Sequence, residues 1–432
     1  MNSLRFGLNQ SFVDKNRFIK VNLATEFESL YQQVKINVQP NQQEDFKLFL
    51  RNNSKSFAEN VYRTSDNTWK TLQGMARDPE LAVLSGDKDS SVVIMPRSVY
   101  ISKLEEMIKE GIRDGKYIET TDTTIKDLTT FQNFLNRNFK KTLPYDDIRP
   151  TSNQPAFLYG SAKTHKFVNP SEITAEKLKL RPIVSTVGTY YYQTAKHLAS
   201  YLLPLTDNQF NLRNTLDFSD CLSDVTLAED EILVSYDVSS LFTQVPLEET
   251  IDYIIHKIYN ENKLPKLASE MLFKRLLLKV TQGTVFSFNN RLYKQIDGCG
   301  MGNPLSPVLA NIFMAKLEEE IVEPSASHLF YRYVDDCFSK RKKDQPDELL
   351  EKLNTYHPNI NFTVEENPSH FLDTKFRYKN GKFERSVYTK PGKIPTHWSS
   401  QIPKKWKRYA ITGALHRAKR ISTNLTQDIE RI

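Results

Sequence analysis

The sequence predicts an α+β chain in which an antiparallel sheet is backed by helices, and three observations carry that expectation. Short apolar strands recur, EILVSYDVSSLF at 231–242 and LFYRYVDDCFSK at 329–340 foremost among them. Between the strands lie stretches with apolar residues at helical spacing, such as SVYISKLEEMIKEG and PVLANIFMAKLEEEI. A third signal is VFSFNNRLYKQIDG, whose Asn289 and Asn290 suit the tight turn of a hairpin.

Taken in order, residues 1–86 are polar and mostly helical in pattern, as in ATEFESLYQQV and EDFKLFLRN, with no chemical motif. SVVIM at 91–95 reads as a strand after the turn-forming LSGDKDS, and Pro96 then precedes an amphipathic helix. PAFLYGSAKTHK (155–166) and LRPIVSTVG (180–188) are two strands around a polar loop, and YYYQTAKHLASYLLPL is a helix ending near Pro204. GMGNPLSP at 300–307 opens the next helix, with Pro307 suited to its first turn. A charged stretch, SKRKKDQPDE, leads to a helix at 347–356 and to strands at NFTVEE and FLDTKFRYK. Internal repeats and low-complexity tracts are absent from the sequence.

Composition places the chain among globular proteins. Its 432 residues, 39% hydrophobic and 11% aromatic, allow two or three domains with a real core. Net charge is +7, unevenly spread: from Arg377 to Ile432 there are 14 Lys and Arg against 3 Asp and Glu, a local +11 that leaves −4 for the remainder. Three cysteines, Cys221, Cys299 and Cys337, form no CxxC pattern and have no His partners nearby, which argues against a disulfide framework or a structural zinc site. With charges in the first twenty residues and no apolar run near 18, the expectation is a soluble, intracellular protein in a reducing setting. Nucleus and cytoplasm both fit, with the nucleus favoured. The run Lys340–Lys343 reads as a solvated loop more readily than as a localisation signal.

Asp335 and Asp336 sit in the middle of an apolar, aromatic strand pattern, and Asp237 sits in another. Unpaired carboxylates are costly to desolvate, so the pattern predicts a compensating cation. With no His or Cys close by, the donors suit a hard ion such as Mg²⁺. Two such ions serve in-line phosphoryl or nucleotidyl transfer. Against this, adjacent Asp residues commonly face water at hairpin tips, and a lone DD is more often structural. The order of the motifs shifts the balance: an acid strand, then GMGNPLSP opening a helix, then the aromatic-flanked YVDD hairpin.

That ordered set resembles the reverse transcriptases, and in detail their Penelope-like retroelement branch. VSYDVSSLF is similar to motif A, GCGMGNPLSPVLANIFM to motif B with MG where QG is commoner, and RYVDD to motif C. DKDSSVVIM, YGSAKTHK and RPIVS resemble the finger motifs, FTVEEN and FLDTKF motifs D and E, and HWSSQIPKKWKRYAITGALHRAKRIST the thumb. The likeness spans roughly residues 80–425, and LRFGLNQSF fits the same branch more loosely. Many members continue into a GIY-YIG nuclease. Neither GIY nor YIG occurs here, which leaves a nuclease-lacking lineage or a fragment.

The resemblance implies a right-hand polymerase: an N-terminal helical extension (1–86), fingers (87–188), palm (189–376) and a basic helical thumb (377–432). It implies that Asp237 and Asp335 ligate two Mg²⁺ ions, with Mn²⁺ as a substitute, and that Asp336 supports them. Phe242 falls where the family places an aromatic gate against a ribose 2′-hydroxyl, although an aromatic beside Leu241 also fits a plain core. Lys88 and Arg181 stand at positions that contact the incoming triphosphate, the alternative being solvated strand-end cations. Gly302 would let the backbone approach the nascent base pair, and Met301 would pack on the sugar. For a motif D general acid, Lys375 and His370 are nearby and neither matches. Lys404, Lys405, Lys407, Arg408, Arg417, Lys419 and Arg420, interleaved with Trp398, Trp406 and Tyr409, would track a primer–template backbone.

The expected partners are therefore an RNA template, a DNA or RNA primer and dNTPs, with no membrane, and no protein partner is implied. The rivals are a catalytically inactive, domesticated nucleic-acid-binding protein, an RNA-directed RNA polymerase, against which Phe242 tells, and a palm-fold cyclase.

Overall fold

The structure is a computed structural model that describes residues 44, 47–48, 74–75, 77–88, 91–150, 152–167, 172–239, 241–296, 300, 302–325, 329–389 and 403–424. The chain divides into two compact units, Met1–Tyr100 with Thr164–Lys177 and Ile394–Ala410, and Ile101–Lys163 with Leu178–Lys393 and Ile411–Ile432.

In the first unit β1 (Leu81–Ser85) and β2 (Val92–Pro96) pair antiparallel, Leu81 facing Pro96. Arg97 closes the base of this hairpin: its amide donates to the Glu80 carbonyl at 2.7 Å and its guanidinium to the Leu81 carbonyl at 3.1 Å. The SVVIM strand is where the sequence predicts it. LAVLS, part of the stretch expected to be mostly helical, is a strand instead, because its side chains alternate in burial and its backbone has a partner.

From Arg97 the chain runs through α1 (Arg97–Arg113), β3 (Tyr117–Thr120), α2 (Thr124–Asn138), β4 (Ala156–Ala162), β5 (Leu180–Ser185), α3 (Tyr192–Leu202) and α4 (Thr215–Cys221). Then follow β6 (Glu231–Val238), α5 (Leu247–Tyr259), α6 (Glu270–Thr281), β7 (Val285–Phe288), β8 (Arg291–Gln295) and α7 (Ser306–Leu317). The chain continues with β9 (Phe330–Tyr333), β10 (Asp336–Lys342), α8 (Glu348–Tyr356), β11 (Phe362–Glu366), β12 (His370–Phe371), β13 (Thr374–Lys379), β14 (Lys382–Val387) and α9 (Lys404–Ile421).

Among the described residues the second unit holds three sheets. One is five-stranded, in the order β3-β8-β7-β4-β5, so the β7–β8 hairpin joins strands drawn from the segment 87–188. That hairpin turns at Asn289 and Asn290, whose φ values of 46° and 60° are the left-handed pair a type I′ turn requires. The second sheet, β11-β6-β10-β9, is antiparallel throughout. Period-2 alternation gives it two unlike faces. Ile232, Val234, Tyr236 and Val238 of β6 enter a large core built with the buried face of α5, α6 and α7, whereas Leu233 and Phe338 point the other way, onto Phe371 and Phe376. α7 is buried almost all round, which is why its sequence, SPVLANIFMAKL, shows so little polar face.

The third sheet, β12-β13-β14, corrects one expectation. The tail 377–432 was expected to be helical, yet its first residues complete a hairpin that turns at Asn380 and Gly381, with φ of 51° and 75°. Asn-Gly between alternating residues is a hairpin signal, and it was present in RYKNGKFE. Among the described residues of the tail, helix enters with α9. In the second unit the end of α9 buries Ala418 and Ile421, and the Ser219 hydroxyl donates to the Ile421 carbonyl at 3.4 Å.

Candidate active site

Register brings the sequence-predicted acids together. β6 and β10 pair so that Asp237 faces Asp336, while Asp336 also faces Tyr333 on β9. Directly opposed residues project to the same side of a sheet, so these two carboxylates share the face of Leu233 and Phe338. The amide of Val238 donates to the Asp335 carbonyl at 3.2 Å, which ties the third acid to the end of β6. All three line one open pocket of about 480 Å³, whose far wall includes His370 and Asp373.

Their surroundings differ from expectation in one respect. Asp237 and Asp336 are exposed and Asp335 is half-buried. Leu233 and Phe338 on the same face are buried, whereas Asp237 and Asp336 stand at the strand ends, where that face opens into the pocket, so burial is not what calls for a cation here. Cys337, on the opposite face in the helix-backed core, is fully buried, and burial pushes its thiol well above the usual range, which keeps it a protonated core residue.

The turn that carries Asp335 is strained. Only Val334 and Asp335 link Tyr333 to Asp336, and Val334 alone of the two takes a positive φ, 60°. A two-residue hairpin of this kind places Gly at that first position. A β-branched residue there is a true outlier, costing roughly 1–3 kcal/mol, and such strain clusters at functional sites.

Among the described residues no three His, Cys, Asp or Glu side chains are gathered closely enough to hold a metal ion, which departs from the expected three-carboxylate group. The donor chemistry nonetheless fits Mg²⁺. That ion is commonly held by one or two carboxylates together with substrate phosphates rather than by an all-protein cage, and Asp237 and Asp336 at facing positions are such a pair.

The other expected residues are scattered. Arg181, half-buried on β5, lies across from Ser161. Phe242, half-buried in the helical turn Leu241–Gln244, packs against the helix-backed core and is not among the residues lining the acidic pocket. Lys88, in the first unit, is exposed on the bend after β1. Met301 lies outside the described residues. Gly302 lies against protein backbone: a Cβ there would come within 2.1 Å of the Val184 carbonyl oxygen.

On α9, Lys405, Arg408 and Lys419 are exposed, and the side chains of Lys404 and Lys407 lie outside the described set, as does Trp398. Arg417 and Arg420 have acidic partners after all, Asp373 at 3.7 Å and Asp220 at 2.6 Å. The local count of +11 missed these because the partners are supplied by α4 and the β12–β13 turn. The Lys340–Lys343 run behaves similarly: Lys340 pairs with Glu231 at 2.9 Å, Arg341 with Glu366, and Lys342 with Asp230 at 3.7 Å.

Sequence reading missed the groups beneath the turn. Arg332 is fully buried and forks onto Glu318, and its Nη1 donates to the Asn311 side-chain oxygen at 2.7 Å and to the Val334 carbonyl at 3.2 Å. A signal did exist. In FYRYVDD the parity that sends Phe330 inward also sends Arg332 inward.

Comparison with known proteins agrees with this geometry. The structure is similar to telomerase from Candida albicans in complex with a fragment of telomeric RNA, at 10% identity and TM-score 0.52, over 91% of this chain and 67% of that one. Apo telomerase from Candida tropicalis follows at 11% identity and 0.49, over 91% and 70%. The RNA-dependent RNA polymerase of a human picobirnavirus stands at 12% identity and 0.41, over 85% and 78%. No curated protein sequence matches the chain. The first of these likenesses, with the helix-backed antiparallel sheet, makes the fold that of a right-hand polymerase, as the sequence predicts. Within it, residues 172–379 match the family described as reverse transcriptase (RNA-dependent DNA polymerase).

Proposed function

We propose that the chain is an RNA-directed DNA polymerase that extends a primer 3′-hydroxyl with dNTPs, and that it derives from a Penelope-like retroelement. The observation that carries the reading is the pairing of Asp237 with Asp336 beside the strained Val334–Asp335 turn, inside the stretch that matches the reverse-transcriptase family. The Penelope-like origin is supported by the sequence motifs alone.

In this reading Asp237, Asp335 and Asp336 would hold two Mg²⁺ ions, which would supply activation of the attacking hydroxyl and neutralisation of phosphate charge. The residues themselves supply placement. The hairpin fixes where Asp335 and Asp336 stand relative to β6, so little reorganisation is left for the moment of reaction. Arg181 offers a planar fork for phosphate oxygens. Phe242 selects deoxyribose by occupying the space a 2′-hydroxyl would need.

Primer extension on an RNA template with Mg²⁺, comparing dNTPs with rNTPs, tests the reading. Phe242→Ala is expected to raise rNTP incorporation by about 10–100-fold, because a pocket contact of this size discriminates by roughly 1–3 kcal/mol. Unchanged exclusion of rNTPs would assign Phe242 to the core against which it packs.

A further inference from the structure

We infer that Arg332, gripped by Glu318, is the positioning residue of the YVDD turn; the inference deepens the polymerase reading above and rests on it. Both side chains have no exposed surface. Arg332 Nε and Nη2 donate to the two oxygens of Glu318, and the Asn208 amide donates to Glu318 Oε2 at 2.6 Å. The Arg332 backbone is fixed as well: its amide donates to the Phe210 carbonyl at 2.8 Å, and the Leu212 amide donates to its carbonyl at 2.7 Å. Glu318 in turn begins a five-residue π-helical turn, Glu318–Val322, at the end of α7, an irregularity that recurs at functional sites.

A buried ion pair is a poor means of stabilising a fold. Apolar residues of similar volume often do as well or better, because both charges must be stripped of water. What apolar residues cannot do is donate a hydrogen bond. Among the described residues, the bond from this network to the turn is Arg332 Nη1 to the Val334 carbonyl, made to the residue that holds the strained φ. The network therefore holds the turn in a conformation that Val334 would otherwise leave, and with it the carboxylates of Asp335 and Asp336.

The test is the double variant Arg332→Met/Glu318→Leu, which replaces the pair with apolar residues of similar size. Its thermal midpoint is expected at or above that of the parent. Its kcat for dNTP addition is expected to fall on the order of 100-fold, the cost of misplacing a reacting group by about 1 Å. KM for dNTP and Kd for primer–template should stay within about twofold, since only transition-state placement is lost. Amide exchange over 333–336 should accelerate about tenfold or more while the rest of the sheet is unchanged, because local opening sets exchange.

A folded double variant with parental kcat, or with parental exchange at the turn, would make Arg332 a core strut and overturn the inference. Arg332→Lys, which keeps the charge and loses the fork, guards against a variant that does not fold. It too should speed exchange at the turn and lower kcat at constant KM, and no change in either would also overturn the inference. A parent protein that never extends a primer would defeat the polymerase reading instead, while the exchange measurement would still decide the role of Arg332.

Discussion

Asp237→Asn and Asp335→Asn are each expected to slow primer extension on the order of a thousandfold, the equivalent of about 4 kcal/mol of lost transition-state stabilisation. Each change removes a charge and keeps the shape, so the loss reports electrostatics at the reacting centre rather than packing. The fold should not suffer. Asp237 and Asp336 face each other across an antiparallel pair, and like charges so placed repel. Without Mg²⁺, Asp237→Asn should therefore unfold at the parental temperature or slightly above it. A variant that is more stable and nearly inactive is the signature of residues kept for function. Full-rate synthesis by either variant would remove its carboxylate from the mechanism.

Gly302→Ala is expected to be the most damaging single-methyl addition in the second unit. The new Cβ would lie 2.1 Å from the Val184 oxygen, 2.8 Å from its carbonyl carbon and 2.9 Å from the Ser185 Cα, all of them backbone atoms that cannot swing aside. β5 and the loop before α7 are bridged there, Ser185 to Gly302, and the Thr186 hydroxyl donates to the Gly302 carbonyl at 2.8 Å. Relief means pushing that loop off the sheet, at a cost of about 3 kcal/mol or more. Chemical denaturation would read this directly. A stability within about 0.5 kcal/mol of the parent, the range of a harmless surface change, would show that the loop yields freely.

The sequence and the structure agree where periodicity is strong and diverge where partners are distant. The acid strand, the YVDD hairpin and α7 were legible because each carries its own signal: alternation, a turn, or Pro307 at a helix start. Register followed from none of them, and it is register that sets Asp237 opposite Asp336. The acids also looked buried, since flanking aromatics dominate the string, whereas they stand at strand ends that open into the pocket. The backbone contact of Gly302 was not legible because Val184 lies more than a hundred residues earlier. Arg417 and Arg420 looked unopposed for the same reason, their acids being Asp373 and Asp220. Arg332 was overlooked beside two more conspicuous carboxylates, although its inward parity was readable.

The central claim is that β6 and the YVDD hairpin together form a working nucleotidyl-transfer centre. Its most direct test is single-nucleotide extension by the full chain on a primed RNA template. The account predicts one-dNTP lengthening that stops when EDTA is added and resumes with excess Mg²⁺. A folded protein that binds the primer–template and leaves the primer unextended at every Mg²⁺ or Mn²⁺ concentration would contradict it.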